Sequence, residues 1–264
     1  MIVVAIAAGL IGYVIGKPAP PQGHAEKPDP PEKPAELEEP KEPAFVKEGL
    51  VAYYPFNGNA KDESGNGNDG ASTKVEFVGS GLGSDGKAAK FNGAGCRVAI
   101  DSKSFPVGNS PITLTFFVNV TGPPDSSEEF HIGYGGPPDT FFGFFGDGFA
   151  AEPKEEIVYR FTNWQTHMGV GTIRAKRNHW HMLTATYDGK TVTTYLDGAR
   201  AESKPYTLQI AGTTITAVDT FYIGQRGTDS YRKTIGMVDQ VRIYNRALSA
   251  EEVKALYDLE KPKE

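Results

Sequence analysis

Short runs in which apolar and polar residues alternate fill the chain from residue 49 onward. In the two clearest runs every second residue is apolar: Leu50, Ala52, Tyr54 and Phe56 in GLVAYYPF, and Ile112, Leu114, Phe116 and Val118 in PITLTFFVNV. A period of two places such side chains on one face of a β-strand. No sustained 3.6-residue pattern precedes the end of the chain. The pattern therefore predicts an all-β fold, a sandwich of two antiparallel sheets.

Turn signals join these runs. In HMLTATYDGKTVTTYLDG, one alternating run ends at Asp188-Gly189, and the next run ends at Asp197-Gly198. Two alternating runs joined through Asp-Gly are the strongest short-range signal for a β-hairpin. We expect consecutive antiparallel strands over this stretch.

One helix is expected near the end of the chain, in LSAEEVKALYDL. Ser249 stands at the N-cap and Glu252 at the third helical position, which is the pattern of a capping box. Leu248 and Val253 are spaced for a hydrophobic staple. We expect a short C-terminal helix of two to three turns with a structural role.

The N-terminal 44 residues differ from the rest. Residues 1–16 are apolar throughout and would form a helix of about 24 Å, short of a ~30 Å hydrocarbon core. They are interpreted as a membrane anchor or signal segment. Residues 17–44 hold nine of the 19 prolines among Glu and Lys, which predicts a disordered linker. The folded domain is expected at residues 45–264.

Composition narrows the classes of partner. The chain of 264 residues has a net charge of −6, which argues against a nucleic-acid ligand because binding phosphates needs a basic surface. Cys96 is the single cysteine, so no intrachain disulfide can form and the thiol is expected to be buried.

The loop NGNAKDESGNGNDG is rich in oxygen-bearing side chains. Calcium takes six to eight oxygen ligands from carboxylates, amides and backbone carbonyls. Asp62 and Asp69 could supply charge, and Asn66 and Asn68 could supply neutral oxygens. The spacing is irregular, and the same residues also serve as ordinary turn formers. Both interpretations stay open on the local sequence.

Five stretches together resemble one family. They are GLVAYYPFNGNAKDESGNGNDG, KAAKFNGAGCRVAI, ITLTFFVNV, WHMLTATYDGKTVTTYLDGA and FYIGQR…GMVDQVRIYNRALSAEEVKALYD. In this order they look like laminin-G-like jelly-roll domains of the concanavalin A-like lectin/glucanase superfamily, over residues 49–258. The resemblance implies a jelly roll of two stacked sheets that serves in extracytoplasmic binding or adhesion. Met182 departs from a histidine common in the family, and residues 121–178 do not follow its pattern.

The resemblance also implies a structural calcium ion (Ca2+) shared between the N-terminal loop and the last strand. Asp239 lies between Val238 and Val241 in an expected strand, where Asp is disfavoured and a buried carboxylate needs a partner. The expected ligands are Asp62, Asn66 or Asn68, Asp69, Asp239 and loop carbonyls.

Catalysis is not expected. Glucanases of this fold carry a cluster of acids on one strand, which places two carboxylates at the spacing that glycoside hydrolysis needs. No such cluster occurs here, and the acids at 128–129, 152 and 155–156 are interpreted as loop charges. His179 and His181 would face the same side of a strand, but a zinc site needs further ligands.

Sugar binding would need exposed aromatic faces and a few fixed polar groups. The candidates in the poorly matching insert and a later loop are Tyr134, Trp164, Arg226 and Tyr231.

The expected function is a non-catalytic, membrane-tethered recognition or adhesion domain that binds carbohydrate or a cell-surface glycoprotein. Its head would be extracytoplasmic, in the cell envelope or at the surface, or the protein would be secreted. The alternative is a module that binds protein or is purely structural, without sugar affinity. A glycoside hydrolase is the third interpretation, which the missing acid cluster disfavours.

Overall fold

The structure, a computed structural model, describes twelve stretches of the chain. They are residues 16–17, 43–80, 82, 86–93, 95–106, 110–122, 130–134, 142–147, 154–163, 168–205, 220–225 and 234–262. The chain divides into two units, residues 1–41 and 42–264. The expected anchor and linker lie almost wholly outside the described residues. None of the described helices has the length and apolar character needed to cross a membrane.

The described part of residues 42–264 forms β-strands and two helices. The strands are β1 (Leu50–Tyr54), β2 (Gly70–Thr73), β3 (Glu76–Gly79), β4 (Lys87–Asn92), β5 (Arg97–Asp101), β6 (Ile112–Val120), β7 (Phe130–Tyr134), β8 (Phe142–Asp147), β9 (Glu156–Asn163), β10 (Met168–Lys176), β11 (His181–Tyr187), β12 (Thr191–Leu196), β13 (Ala199–Pro205), β14 (Thr220–Gly224) and β15 (Ile235–Tyr244). A 3₁₀-helix, η1 (Ala44–Val46), precedes them, and α1 (Ala250–Glu260) follows.

The strands form two antiparallel sheets. The first has the order β13-β12-β11-β6-β15-β4-β3, and β1 pairs with β15 beside β4. The second has the order β10-β9-β8-β7-β14-β5-β2. Neighbours that are distant in sequence, such as β6 with β15, are typical of a jelly roll rather than a simple meander. The expected all-β sandwich with one short C-terminal helix is confirmed.

The long strand β15 organises the first sheet. Its first half, from Ile235 to Val238, pairs with β4, and its second half, from Val241 to Tyr244, pairs with β1. The register with β6 shifts between Asp239 and Arg242. At this bulge Gln240 adopts a left-handed backbone with φ of +52°. The strand therefore changes partner where its own ladder is interrupted.

The core lies between the sheets and follows the period-two pattern. The expected inward residues of β6, β11 and β1 are buried there: Ile112, Leu114, Phe116, Val118, Leu183, Ala185, Tyr187, Ala52 and Tyr54. Leu50 is the exception, since it packs on the other side of the first sheet while Val51 joins the core. The register shift between Leu50 and Ala52 explains the difference, because one extra residue reverses which face a side chain occupies.

A second apolar cluster covers the outer face of the first sheet. Phe117, Met182 and Tyr244 alternate with core residues of their strands and pack with residues from both helices. Val46 of η1 and Leu256 of α1 belong to this cluster. Both ends of the folded unit are therefore needed to bury this face.

The helix and hairpin signals are confirmed. Ser249 accepts a hydrogen bond from the Glu252 backbone N–H, and the Glu252 side chain accepts one from the Ser249 N–H. Leu248 and Val253 are buried in the same cluster, as a staple requires. Asp197 and Gly198 both have positive φ, +51° and +77°, which suits the tight turn between β12 and β13.

Candidate functional site

A groove opens where β6 and β10 end and where β9 and β11 begin. Its volume is about 640 Å³, within the size range of small-molecule sites. Among the described residues, three chain segments line it: Thr121 and Gly122; Lys154 and Glu155; and Lys176, Arg177, Asn178 and His179. We call it the strand-end groove.

The buried side chain of Arg177 links the three segments by hydrogen bonds. Its side chain is 6% exposed. Nε donates to the carbonyls of Lys154 at 3.2 Å and Glu156 at 3.0 Å, and Nη1 donates to the carbonyl of Gly122 at 2.9 Å. A buried guanidinium with fixed carbonyl partners holds loops in one arrangement.

Backbone bonds reinforce this arrangement. The Arg177 N–H donates to the Glu155 carbonyl at 2.8 Å, and the Asn178 N–H donates to the Val120 carbonyl at 3.0 Å. Asn178 has φ of +60°, a left-handed conformation that asparagine tolerates better than most residues. The groove is thus preformed, which reduces the ordering cost of binding.

The groove surface carries groups that can bind a ligand. The side chains of Lys154, Lys176, Asn178 and His179 are exposed. The Nδ1 atom of His179 lies 2.8 Å from the Arg177 carbonyl oxygen. A carbonyl only accepts hydrogen bonds, so Nδ1 carries the hydrogen and Nε2 remains for another partner.

The sequence alone did not single out this groove. The sequence suggests His179 only as a partner of His181 in a metal pair. In the structure the two rings lie 6.4 Å apart, and Nδ1 of His181 instead lies 2.8 Å from Asp197 Oδ2. The available signal was the basic run Lys176-Arg177-Asn178-His179 between two strands. Its partners at 121–122 and 154–155 are distant in sequence and come together only in the fold.

The loop between β1 and β2 is organised around the Asp62 carboxylate. Oδ1 accepts the N–H groups of Tyr53 and Ser64, and Oδ2 accepts that of Asn68, each at 2.9 Å. Partial burial raises the pKa of Asp62, but these donors outweigh it and hold the pKa below its usual value. The carboxylate thus serves as an internal acceptor for the loop's backbone.

The other candidate ligands of the loop also make hydrogen bonds within the protein. Asp69 accepts the Asp62 N–H at 2.9 Å. The amide groups of Asn66 and Asn68 donate to the Val51 carbonyl at 3.0 and 2.8 Å, and Asn68 Oδ1 accepts from the Ser104 hydroxyl.

Asp239 stands apart from this loop. It is completely buried on the outer face of the first sheet, and its Oδ1 accepts the Gln240 N–H at 2.8 Å. Burial raises the pKa of Asp239 to about 8, against weaker lowering by Gln240 and Ser80. It shares no described hydrogen-bond partner with Asp62. Within the described stretches, no three His, Cys, Asp or Glu side chains are grouped to hold a metal ion.

The hydrogen bonds of Asp62 and of Asp239 therefore involve different residues. A cation at Asp62 would compete with three backbone N–H donors. Calcium binding remains a prediction of the sequence.

Of the four candidate sugar-binding residues, the structure describes Tyr134. Tyr134 is 1% exposed and packs edge-to-face with Phe105 and Phe221 in the core. Its hydroxyl donates to the Pro106 carbonyl at 2.8 Å. The prediction that Tyr134 contacts a ligand is wrong, because its ring fills the core. Trp164, Arg226 and Tyr231 lie outside the described residues.

Several solved structures share this fold. Domain 4 of AbnA, an extracellular GH43 arabinanase from Geobacillus stearothermophilus solved with arabinotriose, has a TM-score of 0.54 at 20% identity; the match covers 79% of this chain and 98% of that domain. The binding domain of Paraclostridial Mosquitocidal Protein 1 has a TM-score of 0.58 at 19% identity, covering 81% and 53%. The botulinum neurotoxin serotype D binding domain has a TM-score of 0.55 at 12% identity, covering 80% and 52%.

These likenesses concern the fold alone, and the chain spans about half the length of the two toxin domains. No curated protein matches the chain in sequence. A family model, Laminin_G_3, described as the concanavalin A-like lectin/glucanases superfamily, matches residues 92–254. That range is more than half of the chain and includes β6 to β15, the strands around the groove. The chain belongs to the concanavalin A-like lectin/glucanase superfamily.

Proposed function

We propose that the folded unit is a non-catalytic recognition domain that binds carbohydrate or a glycosylated surface. The observation that carries the proposal is the strand-end groove, which is preformed, is held by buried Arg177 and has several polar residues among those described in its lining. Sugar hydroxyls are recognised by fixed polar groups in such concave sites. The similar arabinanase domain, solved with arabinotriose, supports this choice of ligand class.

The carboxylates described at the groove support a proposal of binding without hydrolysis. A glycosidase needs two carboxylates about 5–9.5 Å apart on either side of the scissile bond. Among the described residues that line the groove, Glu155 is the one carboxylate. Asp239 has the raised pKa of an acid catalyst, but it is completely buried and is not among the described residues that line the groove. The proposal therefore assigns no catalytic residue.

We further propose that residues 1–16 tether the protein to a membrane with the head extracytoplasmic. The segment is apolar throughout, and the proline-rich residues 17–44 that follow would act as a spacer. Fully extended in polyproline geometry, 28 residues would reach roughly 90 Å. A binding head on such a spacer could reach a glycosylated surface.

The test is a binding screen of the full chain against plant, microbial and host polysaccharides, including arabinan. A groove-blocking variant, Thr121→Trp, adds bulk at an exposed lining position. Its matched control, Thr73→Trp, adds the same bulk at an exposed position of β2, at the opposite edge of the second sheet from β10.

We expect binding to at least one carbohydrate class, weakened at least tenfold by Thr121→Trp and unchanged by Thr73→Trp. No carbohydrate binding by the unsubstituted chain would contradict the recognition proposal. Release of new reducing ends from a bound polysaccharide would contradict its non-catalytic part.

A further inference from the structure

The first sheet buries two ionisable side chains of one strand on its outer face. Asp239 and Arg242 of β15 are both shielded from water almost completely. Residues three apart on a regular strand face opposite sides, but the bulge of β15 lies between these two and adds a residue. Their partners on β6 are Phe117 and Thr115, two positions apart. Asp239 and Arg242 are therefore neighbours on one face, about 7 Å apart along the strand.

The guanidinium of Arg242 holds one carboxylate and has donors left over. Its Nη2 lies 2.5 Å from Oε1 of Glu260, the last residue of α1, and the centre of the Tyr53 ring lies 3.9 Å from the guanidinium carbon. Nε and Nη1 are buried, and no described residue accepts a hydrogen bond from either atom. Buried donors without an acceptor destabilise a fold, so Arg242 would gain from a second acceptor nearby.

Asp239 carries an acceptor that these donors lack. Its Oδ1 accepts the Gln240 N–H at 2.8 Å, whereas Oδ2 is buried with no partner among the described residues. An ionised carboxylate with an unpartnered oxygen is strongly disfavoured away from water, so this arrangement suits the protonated acid. Burial accordingly raises the pKa of Asp239 to about 8. At neutral pH Arg242 and Glu260 form a charged pair, and Asp239 beside them is mostly neutral.

The charged and titratable groups that act on Asp239 come from three elements and one loop. Arg242 of β15 lowers the pKa of Asp239, and Glu260 of α1 raises it, each less than burial does. Tyr53 of β1 stays neutral, because burial raises the pKa of its hydroxyl to about 12. Ser80, which follows β3, also lowers the pKa of Asp239, although its hydroxyl lies within hydrogen-bond distance of two nearby carbonyls. Of these groups, Arg242 is the cation with which an ionised Asp239 would pair.

The two carboxylates near Arg242 differ in how firmly the fold holds them. Asp239 lies within β15 and is completely buried, so it cannot turn toward water. Glu260 ends α1, its side chain is 12% exposed, and its negative charge opposes the negative end of the helix dipole. Val253 and Leu256 hold the earlier turns of α1 in the outer apolar cluster. If both carboxylates were ionised, Glu260 would be the one to leave, and it would take only the last turn of α1 with it.

We propose that Asp239, Arg242 and Glu260 form a pH-sensitive latch on the C-terminal end of α1. With Asp239 protonated, Arg242 holds Glu260 and the last turn is docked. When Asp239 gives its proton to solvent, its carboxylate accepts from the unused donors of Arg242, and Glu260 separates and becomes hydrated. The latch is closed at neutral pH and opens in the alkaline range. It is independent of the carbohydrate-binding proposal, since none of the three residues is among the described lining of the groove.

The experiment measures amide exchange in the full chain at pH 6 and pH 9 by mass spectrometry, with rates corrected for the intrinsic effect of pH. The last turn of α1 is the reporter. The reference is β2, an edge strand of the second sheet that also exchanges by local opening. The variants are Asp239→Asn, which cannot ionise, and Glu260→Gln, which removes the charge that the latch holds. The control is Glu251→Gln, an exposed carboxylate in the first turn of the same helix.

We expect the protection of the last turn to fall about five- to tenfold between pH 6 and pH 9, while that of β2 stays constant. At one pH unit above its pKa, ionisation of one group shifts a coupled equilibrium by up to about tenfold. Asp239→Asn should keep its protection at pH 9. Glu260→Gln should have lost it already at pH 6 and should change little with pH. Glu251→Gln should follow the unsubstituted chain.

Equal protection of the last turn at both pH values would overturn the latch. A loss that persists in Asp239→Asn would also overturn it, because another group would then respond to pH. An equal loss in β2 would indicate a general loosening of the fold and would count against the latch as well. If Asp239→Asn did not fold, Glu260→Gln would decide: a last turn as protected at pH 6 as in the unsubstituted chain would contradict the proposal.

Discussion

Two ionisable side chains, Asp239 and Arg242, are buried on the outer face of the first sheet. Arg242 is 2% exposed; its Nη2 lies 2.5 Å from Glu260 Oε1, and its guanidinium stacks 3.9 Å from the centre of the Tyr53 ring. Burial alone would lower the pKa of Arg242, but Glu260 raises it above its usual value. Arg242 therefore stays charged, and Glu260 balances it.

For Asp239, in contrast to Arg242, the pKa shift favours the uncharged form. Burial is the largest influence and raises its pKa to about 8, well above the ordinary value of 3.8. At neutral pH the folded protein holds this carboxyl mostly protonated, whereas the unfolded chain ionises it. Between about pH 4 and pH 8 the folded state thus binds more protons, so its stability falls as pH rises.

The first prediction concerns Asp239→Asn, which keeps the shape and removes the ionisation. The variant should lack this decline, so its melting temperature should exceed that of the unsubstituted chain by a few degrees at pH 8 and match it near pH 4. Thermal melts across this pH range check the expectation. A variant less stable at pH 7 would mean that Asp239 is ionised and pairs with Arg242.

At the scale of elements, the loop between β1 and β2 depends on one carboxylate. Asp62 accepts three backbone N–H groups that would otherwise be left without a protein partner. Hydrogen bonds to charged groups contribute a net stabilisation of about 1.5–3 kcal/mol each, and less where water can replace the lost partner, as in this partly exposed loop. The loop in turn supports β1, because one of the three donors is Tyr53 of that strand.

The second prediction is that Asp62→Ala lowers the free energy of unfolding by about 1–3 kcal/mol, in calcium and in EDTA alike. Denaturant melts in both buffers measure it. Asp101→Ala is the control: its carboxylate pairs with Lys103 at an exposed position, so its loss should change stability far less than the loss of Asp62. If EDTA destabilised the unsubstituted chain but not Asp62→Ala, the loop would hold calcium after all.

At the scale of the whole molecule, the two ends of the folded unit are joined by protein contacts. Arg246 follows β15 and donates to the carbonyls of Glu48 at 2.8 Å and Phe45 at 3.0 Å. It also donates to Glu252 of α1 at 2.9 Å. The sequence predicted that an ion would link the chain ends, whereas in the structure a guanidinium makes these contacts.

The third prediction is that Arg246→Gln weakens both ends together. We expect a loss of about 1–3 kcal/mol in the free energy of unfolding. Amide exchange should become faster in residues 44–50 and in α1, although they are about 200 positions apart. Hydrogen-exchange mass spectrometry checks this, with exposed Arg200→Gln of β13 as the control. Faster exchange at only one end would contradict the proposed link.

Local sequence determined the strands, the Asp-Gly hairpins and the capping box of α1, because each depends on residues only a few positions apart. Residue type and period two suffice for these features. The core faces of β6 and β11 followed for the same reason. The superfamily could also be recognised from the sequence, because each of the five stretches that resemble it is contiguous.

Tertiary structure alone decided the rest. The register shift that moves Leu50 to the outer face arises from pairing with β15, and Tyr134 is buried because β7 lies beside β14. The raised pKa of Asp239 depends on its complete burial in the fold, and the groove exists because Arg177 joins segments some 55 residues apart. The burial of a side chain, the electrostatic environment of a carboxyl group and the shape of a groove all depend on residues that are distant in sequence and meet only in the fold. No local sequence pattern contains this information.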